Sequence, residues 1–544
     1  MYVLLMIALA LLATTGRVFL TIGLSIVTGW LLGYLAIRSR AFESAFVSIS
    51  EVLESVPVIS FFPVVLIFFL KYIKGYLGVE LSVDFLVFTA VVWNIWMGVY
   101  QAFKTVPLPM LEVVENLNYG FISKMRKLYI PFSMPRIAAN LIPSFADAYF
   151  YITVSEVFSV GTTTYHVFGI GTLITEFTTE GEFTYVYYSL LGLAILVVGV
   201  ILGLRRFANW SVAKYGLDTS VMPTRTRGRG GFRPKALSRF YVTAVRPITA
   251  LASTARRSAQ LRAVPLRRLE LRQLSSKQID LVIKGIGVAI LALILYGAIS
   301  VIVSVRPSEW SYLFSQTYGI LLGLAYDYAR VAVITGVSFI FAMFVGYYIA
   351  FHRRAEAAVV PLVQAFSAMP APTYFPILFA VTSLVVYRAF GGFANELYVL
   401  FLGFISTFYY IFYTYWIGVK SIPQEVLELM DNLQMGFFRR LFKIVLPGTL
   451  PYIVTGLTST IDSAWGGLMI GEYWPDIAGG RTLEVSHGIL KILDVATAEG
   501  NIALAAYASF IFGLVVVAFA MLFTRHLLEV SRKKYVIEES IYAA

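Results

Sequence analysis

A helix that crosses a bilayer needs about 20 consecutive, mostly apolar residues, and this chain of 544 residues holds eleven such stretches between its charges. They lie near 18–37, 52–73, 83–103, 134–160 and 184–204, and after a break near 279–304, 330–351, 362–387, 396–419, 450–473 and 502–524. The pattern excludes a soluble globular protein and predicts an all-α, polytopic transmembrane bundle. Composition agrees: only 14% of residues are charged and the mean hydropathy is +0.77, whereas about a quarter of an average soluble chain is charged. Residues 1–14 are apolar but short of a full span, and no basic residue precedes them as in a secretory signal. A short or merged first helix is expected there. With no cysteine, disulfides, thiolate metal sites and cysteine nucleophiles are excluded. The four histidines are scattered without metal-ligand spacing, so neither a metal site nor a catalytic site is expected.

The net charge of +12 takes its meaning from where it sits. Short cytoplasmic loops collect Lys and Arg. The basic loops are Arg38–Arg40, Lys124–Arg136, Arg353 with Arg354, Arg439–Lys443, and a tail with Arg525, Arg532, Lys533 and Lys534. With the eleven spans they all fall on one side, which places the carboxy terminus in the cytoplasm. Glu176, Glu180, Glu182, Asp476, Glu484 and Asp494 fall on the other. Residues 205–284 alone carry +15. Pro223, Gly228, Gly230, Gly231 and Pro234 mark the first part of this stretch as a linker, and 236–275 has the composition of a basic amphipathic surface helix. A solvated linker that holds topology, or an anionic lipid contact, accounts for that charge. The stretch has few aromatic residues for base stacking, so no nucleic-acid partner is expected.

The chain is also written twice. Residues 112–121 (Glu-Val-Val-Glu-Asn-Leu-Asn-Tyr-Gly-Phe) and 428–437 (Glu-Leu-Met-Asp-Asn-Leu-Gln-Met-Gly-Phe) agree at five of ten positions at a shift of 316. The register continues through Lys127 and Lys443, Pro131 and Pro447, Pro135 and Pro451, Ile137 and Ile453, and Glu156 and Glu472. Upstream, at a shift of 313, Pro57–Pro63 matches Pro370–Pro376 and Gly33-Tyr34 matches Gly346-Tyr347. The predicted organisation is a first half over 1–210, a basic linker over 211–278, a second half over 279–530 and a tail over 531–544. Six spans separate the repeated segments, so both face the same side. The halves are therefore parallel, with a pathway between them about an axis along the membrane normal.

Each repeated segment predicts a short helix opened by Pro107 or Pro423, a break near Asn118 and Gly120 or Gln434 and Gly436, and a second helix that stops before Pro131 or Pro447. The first helix carries Glu112 and Glu115 in one half and Glu428 and Asp431 in the other. Leu117, Phe121 and Ile122, with Leu433, Phe437 and Phe438, give each loop an apolar knob. It fits either a partner's groove or re-entrant packing within the bundle.

The spacing Glu112-Val113-Val114, Asn118, Leu128, Ile130-Pro131, repeated as Glu428-Leu429-Met430, Gln434, Ile444, Leu446-Pro447, resembles the cytoplasmic EAA loop of ABC importer permeases. Asn118 and Gln434 stand where that family has a turn glycine. Ser55-Val56-Pro57, Phe62-Pro63, Lys104–Pro107, Lys420–Pro423, Ser155-Glu156 and Gly471-Glu472 are similar to the nitrate, sulfonate and taurine type, in a duplicated, fused form. The resemblance implies two tandem type I (MetI-like) permease domains of about 11–12 spans in the cytoplasmic membrane. It implies that each loop docks in one subunit of a cytoplasmic ATPase dimer, through Glu112, Asn118, Gly120, Phe121 and Pro131 and through Glu428, Gln434, Gly436, Phe437 and Pro447. An extracytoplasmic solute-binding protein would deliver a small anion such as nitrate, a sulfonate or taurine. The chain has no phosphate-binding Gly-x-x-x-x-Gly-Lys-Ser/Thr segment, so ATP and Mg would be bound by the separate ATPase. The chain itself would be a permease, not an enzyme, with no cofactor of its own.

A path for an anion calls for neutral hydrogen-bond donors. Asn94, Tyr149, Tyr151, Ser155, Ser463 and Trp465 supply them within spans, and Glu156 and Glu472 are ionisable residues equivalent across the repeat. For the two glutamates, pairing within the bundle is the competing reading, because an unpartnered charge in a membrane is costly. Permeation of iron, thiamine or a polyamine, or a secondary transporter or channel not driven by ATP, are the alternative functions.

Overall fold

The computed structural model describes residues 2–55, 75–160, 163–215, 306–478 and 480–524, with isolated positions between 65 and 73. The basic linker beyond Tyr215, where the helix Phe183–Tyr215 ends, the proposed span at 279–304, the Pro57–Pro63 segment and the tail lie outside the described residues.

The first half runs α1 (Tyr2–Arg38), α2 (Arg40–Ser55), α3 (Tyr76–Lys104), α4 (Leu108–Asn116), α5 (Phe121–Ser155), a hairpin of β1 (Val157–Val160) and β2 (Thr163–His166), α6 (Ile170–Thr179) and α7 (Phe183–Tyr215). The second half repeats the plan. It runs α8 (Glu309–Phe351), α9 (Arg353–Ser367), α10 (Ala371–Phe390), α11 (Ala394–Lys420), α12 (Gln424–Asn432), α13 (Phe437–Gly448), α14 (Leu450–Glu472), β3 (Tyr473–Ala478), β4 (Arg481–Glu484), α15 (Ile489–Ala498) and α16 (Ile502–Phe519). Both hairpins are antiparallel.

Among the described residues, seven helical stretches are long and apolar enough to cross a membrane, and α13 with α14, bent by 76°, makes an eighth. One of the seven, Ala371–Lys420, is a helical hairpin. Gly391, at φ +53°, turns the chain, and Thr382 with Tyr398 and Tyr387 with Asn395 then bond across it. Residues 2–14 are merged into a longer first helix, Tyr2–Arg38.

Three expectations change. The span expected over 362–387 is divided: α9 ends at Ser367 and α10 begins at Ala371, just after Pro370. The span expected to reach residue 160 ends at Ser155, where the β1 strand begins. The helix after the first repeated turn also does not stop at Pro131. It passes through Pro131, Pro135 and Pro143 to Ser155. A π-helical turn at Met125–Tyr129 precedes Pro131, and another at Leu441–Val445 precedes Pro447. The wider turn accommodates a ring that has no N–H to donate.

The spans approach closely where residues are small. A Cβ on Gly33 would meet Val99 Cγ1 at 3.3 Å, and one on Gly346 would meet Tyr415 Cδ1 at 2.9 Å. These equivalent glycines seat α1 on α3 and α8 on α11. Beyond them, Tyr34 packs on Phe121 (ring centroids 4.9 Å apart) and Tyr347 on Phe437 (5.1 Å).

Candidate functional site: two exposed loops, two buried charge clusters and a seam between the halves

The two repeated loops share one backbone. Each short helix closes with the hydrogen bonds of a Schellman turn. Asn118 N donates to Glu115 O (2.9 Å) and Tyr119 N to Val114 O (3.3 Å), while Gln434 N donates to Asp431 O (3.0 Å) and Met435 N to Met430 O (3.1 Å). The turn puts Asn118 and Gln434 at φ +48°, the left-handed region that favours glycine. Gly120 and Gly436 instead precede the next helix at φ −66° and −69°, so the left-handed conformation lies at Asn118 and Gln434 and not two residues later.

Val114 and Met430 anchor the loops as buried residues, and Phe121 and Phe437 lean on Tyr34 and Tyr347. Leu117, Ile122, Leu433 and Phe438 stay 55–65% exposed, and Glu112 and Glu428 are exposed beside them. Pro131 and Pro447 are half-buried at the helix entries. In the second loop Arg440 braces the turn, with Nη1 2.6 Å from Asp431 Oδ1 and Nε donating to Met435 O at 2.6 Å. The lysines that precede the loops are paired: Lys104 with Glu43, and Lys420 Nζ with Glu356 Oε2 at 3.0 Å. Lys104 and Tyr100 hold the Glu43 carboxyl below the usual carboxylate range.

Glu156 and Glu472 are fully buried at the other ends of α5 and α14. Glu156 accepts from Thr14 Oγ1 (2.5 Å), Gly171 N (2.6 Å) and Arg17 Nη1 (3.3 Å), and Arg17 also binds Glu80. Glu472 accepts from Lys491 N (3.0 Å) and Arg330 Nη1 (3.3 Å), and Arg330 also binds Glu396 and Asp327. Each glutamate thus ties a long helix to the N-terminus of a short one, α6 or α15, where the orphan N–H groups sit. Gly169-Ile170-Gly171 forms one of those N-termini. Thr14, Arg17, Glu80, Asp327, Arg330 and Glu396 were missed in the sequence. Yet Arg17 and Arg330 keep the shift of 313, and Glu80 and Glu396 that of 316.

Between the halves, Asp147 on α5 accepts a hydrogen bond from Tyr410 on α11. Ser463 on α14 lies near the same Tyr410 hydroxyl, and the Tyr409 ring lies beside it, tilted by 32° with centroids 4.5 Å apart. At a shift of 316, Asp147 is the counterpart of Ser463 and Asn94 of Tyr410. A Cβ on Gly466 would lie 3.2 Å from Phe150 Cε1 and 3.3 Å from Tyr151 Oη, so α14 and α5 meet at this seam. The other expected path residues are placed elsewhere. Tyr149 bonds Thr15 Oγ1 (3.2 Å), Ser155 bonds Ile152 O (3.3 Å), and Trp465 packs on Tyr328 and Phe512, each within its own half. Asn94 is exposed, and its backbone carbonyl accepts from Asn140 (3.2 Å).

Residues 338–529 match the family described as binding-protein-dependent transport system inner membrane component. Among curated proteins, the bicarbonate transport system permease protein CmpB of Synechococcus elongatus is 32% identical over 161 residues, 29% of this chain and 51% of that protein. The nitrate import permease protein NrtB of Leptolyngbya laminosa is 26% identical over 208 residues, 35% of this chain and 71% of that one. A putative aliphatic sulfonates transport permease protein, SsuC, of Bacillus subtilis is 23% identical over 137 residues, 25% and 46% of the two chains. The chain spans about half the length of the first of these relatives. The second half, over residues 338–529, is thus similar to binding-protein-dependent transport system inner membrane components, in a chain whose long apolar helices make it a multi-pass membrane protein.

Proposed function

We propose that this chain is the membrane permease of an ATP-driven ABC importer, with both permease halves fused in one polypeptide. The observation that carries the reading is the pair of loops with one backbone, φ +48° at Asn118 and Gln434, and exposed apolar residues on each. Two equal knobs suit two subunits of a separate ATPase dimer, and hydrolysis belongs to that partner. An external binding protein would deliver the solute at the opposite end. Glu112 and Glu428 lie on the docking helices, with Asn118, Gly120, Phe121 and Pro131 and their counterparts Gln434, Gly436, Phe437 and Pro447 shaping the knobs.

The test is co-purification with uptake. The tagged chain should bring down an ATPase subunit, and Glu112→Ala with Glu428→Ala should cut ATP-dependent uptake at least tenfold. Capture of no ATPase together with unchanged uptake would sink the reading.

The solute is a small anion, by analogy with the relatives, which are named for bicarbonate, nitrate and sulfonates. The seam supports this with hydroxyl donors from Tyr151, Tyr410 and Ser463, and Tyr410 would exchange Asp147 for the passing anion. Of the expected path residues, Tyr151 and Ser463 lie at this seam, and Asn94 shares a repeat position with Tyr410. We retain Tyr149, Ser155, Trp465, Glu156 and Glu472 as supports of the path walls. One observation favours a cationic solute such as thiamine or a polyamine instead: the seam holds a carboxyl, Asp147, beside tyrosine rings, a setting that attracts cations. Asp147→Asn separates the two. Uptake of an anion is retained or raised, whereas uptake of a cation is lost.

A further inference from the structure

The second half carries an open basic hollow at its surface that the pathway does not use, with Leu384, Arg388, Arg481 and Thr482 exposed. It lies at the end of α10, has a volume of about 550 Å³, and is lined by Leu384, Tyr387, Arg388, Arg481 and Thr482. Two guanidinium groups face one space, and among the described residues no carboxylate lines it. Arg481, on β4, is held in place because Nη1 donates to the Oγ of the buried Ser383 at 2.6 Å. Arg388 has no hydrogen-bond or ion-pair partner among the described residues. The walls are tied together as well: Tyr387 donates to Asn395, and Asn395 Nδ2 donates to Glu484 O at 2.6 Å. These bonds fix α10, the start of α11 and β4 against one another, and so fix the spacing of the backbones that carry the two arginines.

Two cations at one hollow repel until an anion joins them, and the planar fork of arginine matches the oxygens of a carboxylate, nitrate, sulfonate or phosphate group. The arrangement is one-sided. Val167 N bonds Glu156 O and Val485 N bonds Glu472 O, which sets the register of the two hairpins and puts Thr163 where the second half has Arg481. The hollow lies at the Ala394 end of α11, while the docking loops follow Lys420. A helix of that length separates the two by about 40 Å.

We propose that Arg388 and Arg481 form a binding site for an oxyanionic group at the end of the second half opposite the docking loops. The group comes from a free anion in the aqueous phase or from a phospholipid headgroup, and the same guanidinium chemistry binds either. The site stands apart from the importer reading, because binding needs no ATPase.

The experiment uses the full-length chain purified in detergent. Methanesulfonate, nitrate and inorganic phosphate serve as soluble probes in equilibrium titrations, and co-purified phospholipid is counted by native mass spectrometry. In the double variant Arg388→Gln with Arg481→Gln, affinity for at least one soluble probe falls tenfold or more if the source is a free anion. If the source is lipid, bound phospholipid falls and soluble-probe affinity is unchanged. Arg481→Lys keeps the charge but loses the fork, so it shows a partial loss, two- to threefold. Should the double variant fail to fold, Arg388→Gln is read alone, since that side chain supports no internal contact. If neither soluble-anion affinity nor bound phospholipid changes in a folded variant, the proposal is overturned.

Discussion

Thr14 and Asp327 occupy equivalent places 313 residues apart, and each accepts a hydrogen bond from the first N–H of a short helix: Thr14 from Ile170 N at 2.9 Å, Asp327 from Ile489 N at 2.7 Å. A neutral hydroxyl in one half and a carboxyl in the other perform the same capping. The second half therefore packs one more acid around Arg330 than the first packs around Arg17. Because threonine suffices at the first site, Asp327→Thr should fold and shift stability by no more than about 1 kcal/mol. Arg330→Gln should cost about 3–5 kcal/mol, since it leaves Asp327 and Glu472 buried without their cation. Thermal unfolding of the two variants in one detergent compares them directly. Equal midpoints would contradict this account of the cluster.

The glycines before the short helices make a second prediction. A Cβ at Gly169 would overlap the Glu156 carboxylate, and one at Gly488 would overlap that of Glu472. Gly169→Ala and Gly488→Ala must therefore displace a buried, hydrogen-bonded carboxylate, at a cost of about 2–4 kcal/mol. At Gly16 and Gly23 a Cβ meets nothing within 4 Å. Alanine there should be neutral or slightly stabilising, because both sit within helix α1. If all four variants unfold at one temperature, the close approach is not what selects glycine at 169 and 488.

Much of this was legible in the sequence because repeats and apolar runs are local signals. The shift of 316 located both loops, and the run lengths located most of the helices. The charge clusters escaped because their members are far apart in the chain: Arg17, Glu80 and Glu156 meet only once three helices pack. The extension of the helix through Pro131 escaped for another reason. Proline reads as a stop, and the π turn that accommodates it has no sequence signature of its own. The seam was half visible. Tyr151 and Ser463 were picked out as polar residues within spans, but Tyr410 as the link between the halves was not, because only packing brings α11 to α5.

Backbone strain in the two repeated loops supplies a third prediction. Gln434 and Asn118 both hold φ +48°, and asparagine tolerates that region better than glutamine. Gln434→Gly should therefore stabilise the loop by about 1 kcal/mol, and Asn118→Gly by less. Gln434→Val, with its branched Cβ, should destabilise the turn and reduce ATPase capture. Hydrogen exchange across 424–440 reads the stability of the loop, and pull-down of the ATPase reads its docking. Faster exchange in Gln434→Gly than in the parent chain would show that the turn gains nothing from glycine.

The seam yields the last prediction. Phe150 and Gly466 are repeat equivalents at a shift of 316, and they face one another, with a Cβ on Gly466 only 3.2 Å from Phe150 Cε1. The ring of one half thus fills the space that glycine leaves in the other. Gly466→Phe overfills that space and should cost about 1–3 kcal/mol, with uptake lost because the halves cannot approach. Phe150→Gly opens a gap at a half-buried ring and should also destabilise, by about 1–3 kcal/mol, less than loss of a fully buried ring. The exchanged pair, Phe150→Gly with Gly466→Phe, moves the ring across the seam, so its cost should fall well below the sum of the single changes. Uptake by the exchanged pair should recover toward the parent level. Strict additivity in unfolding, with no recovery of uptake, would mean that the two positions do not share one space as the halves meet.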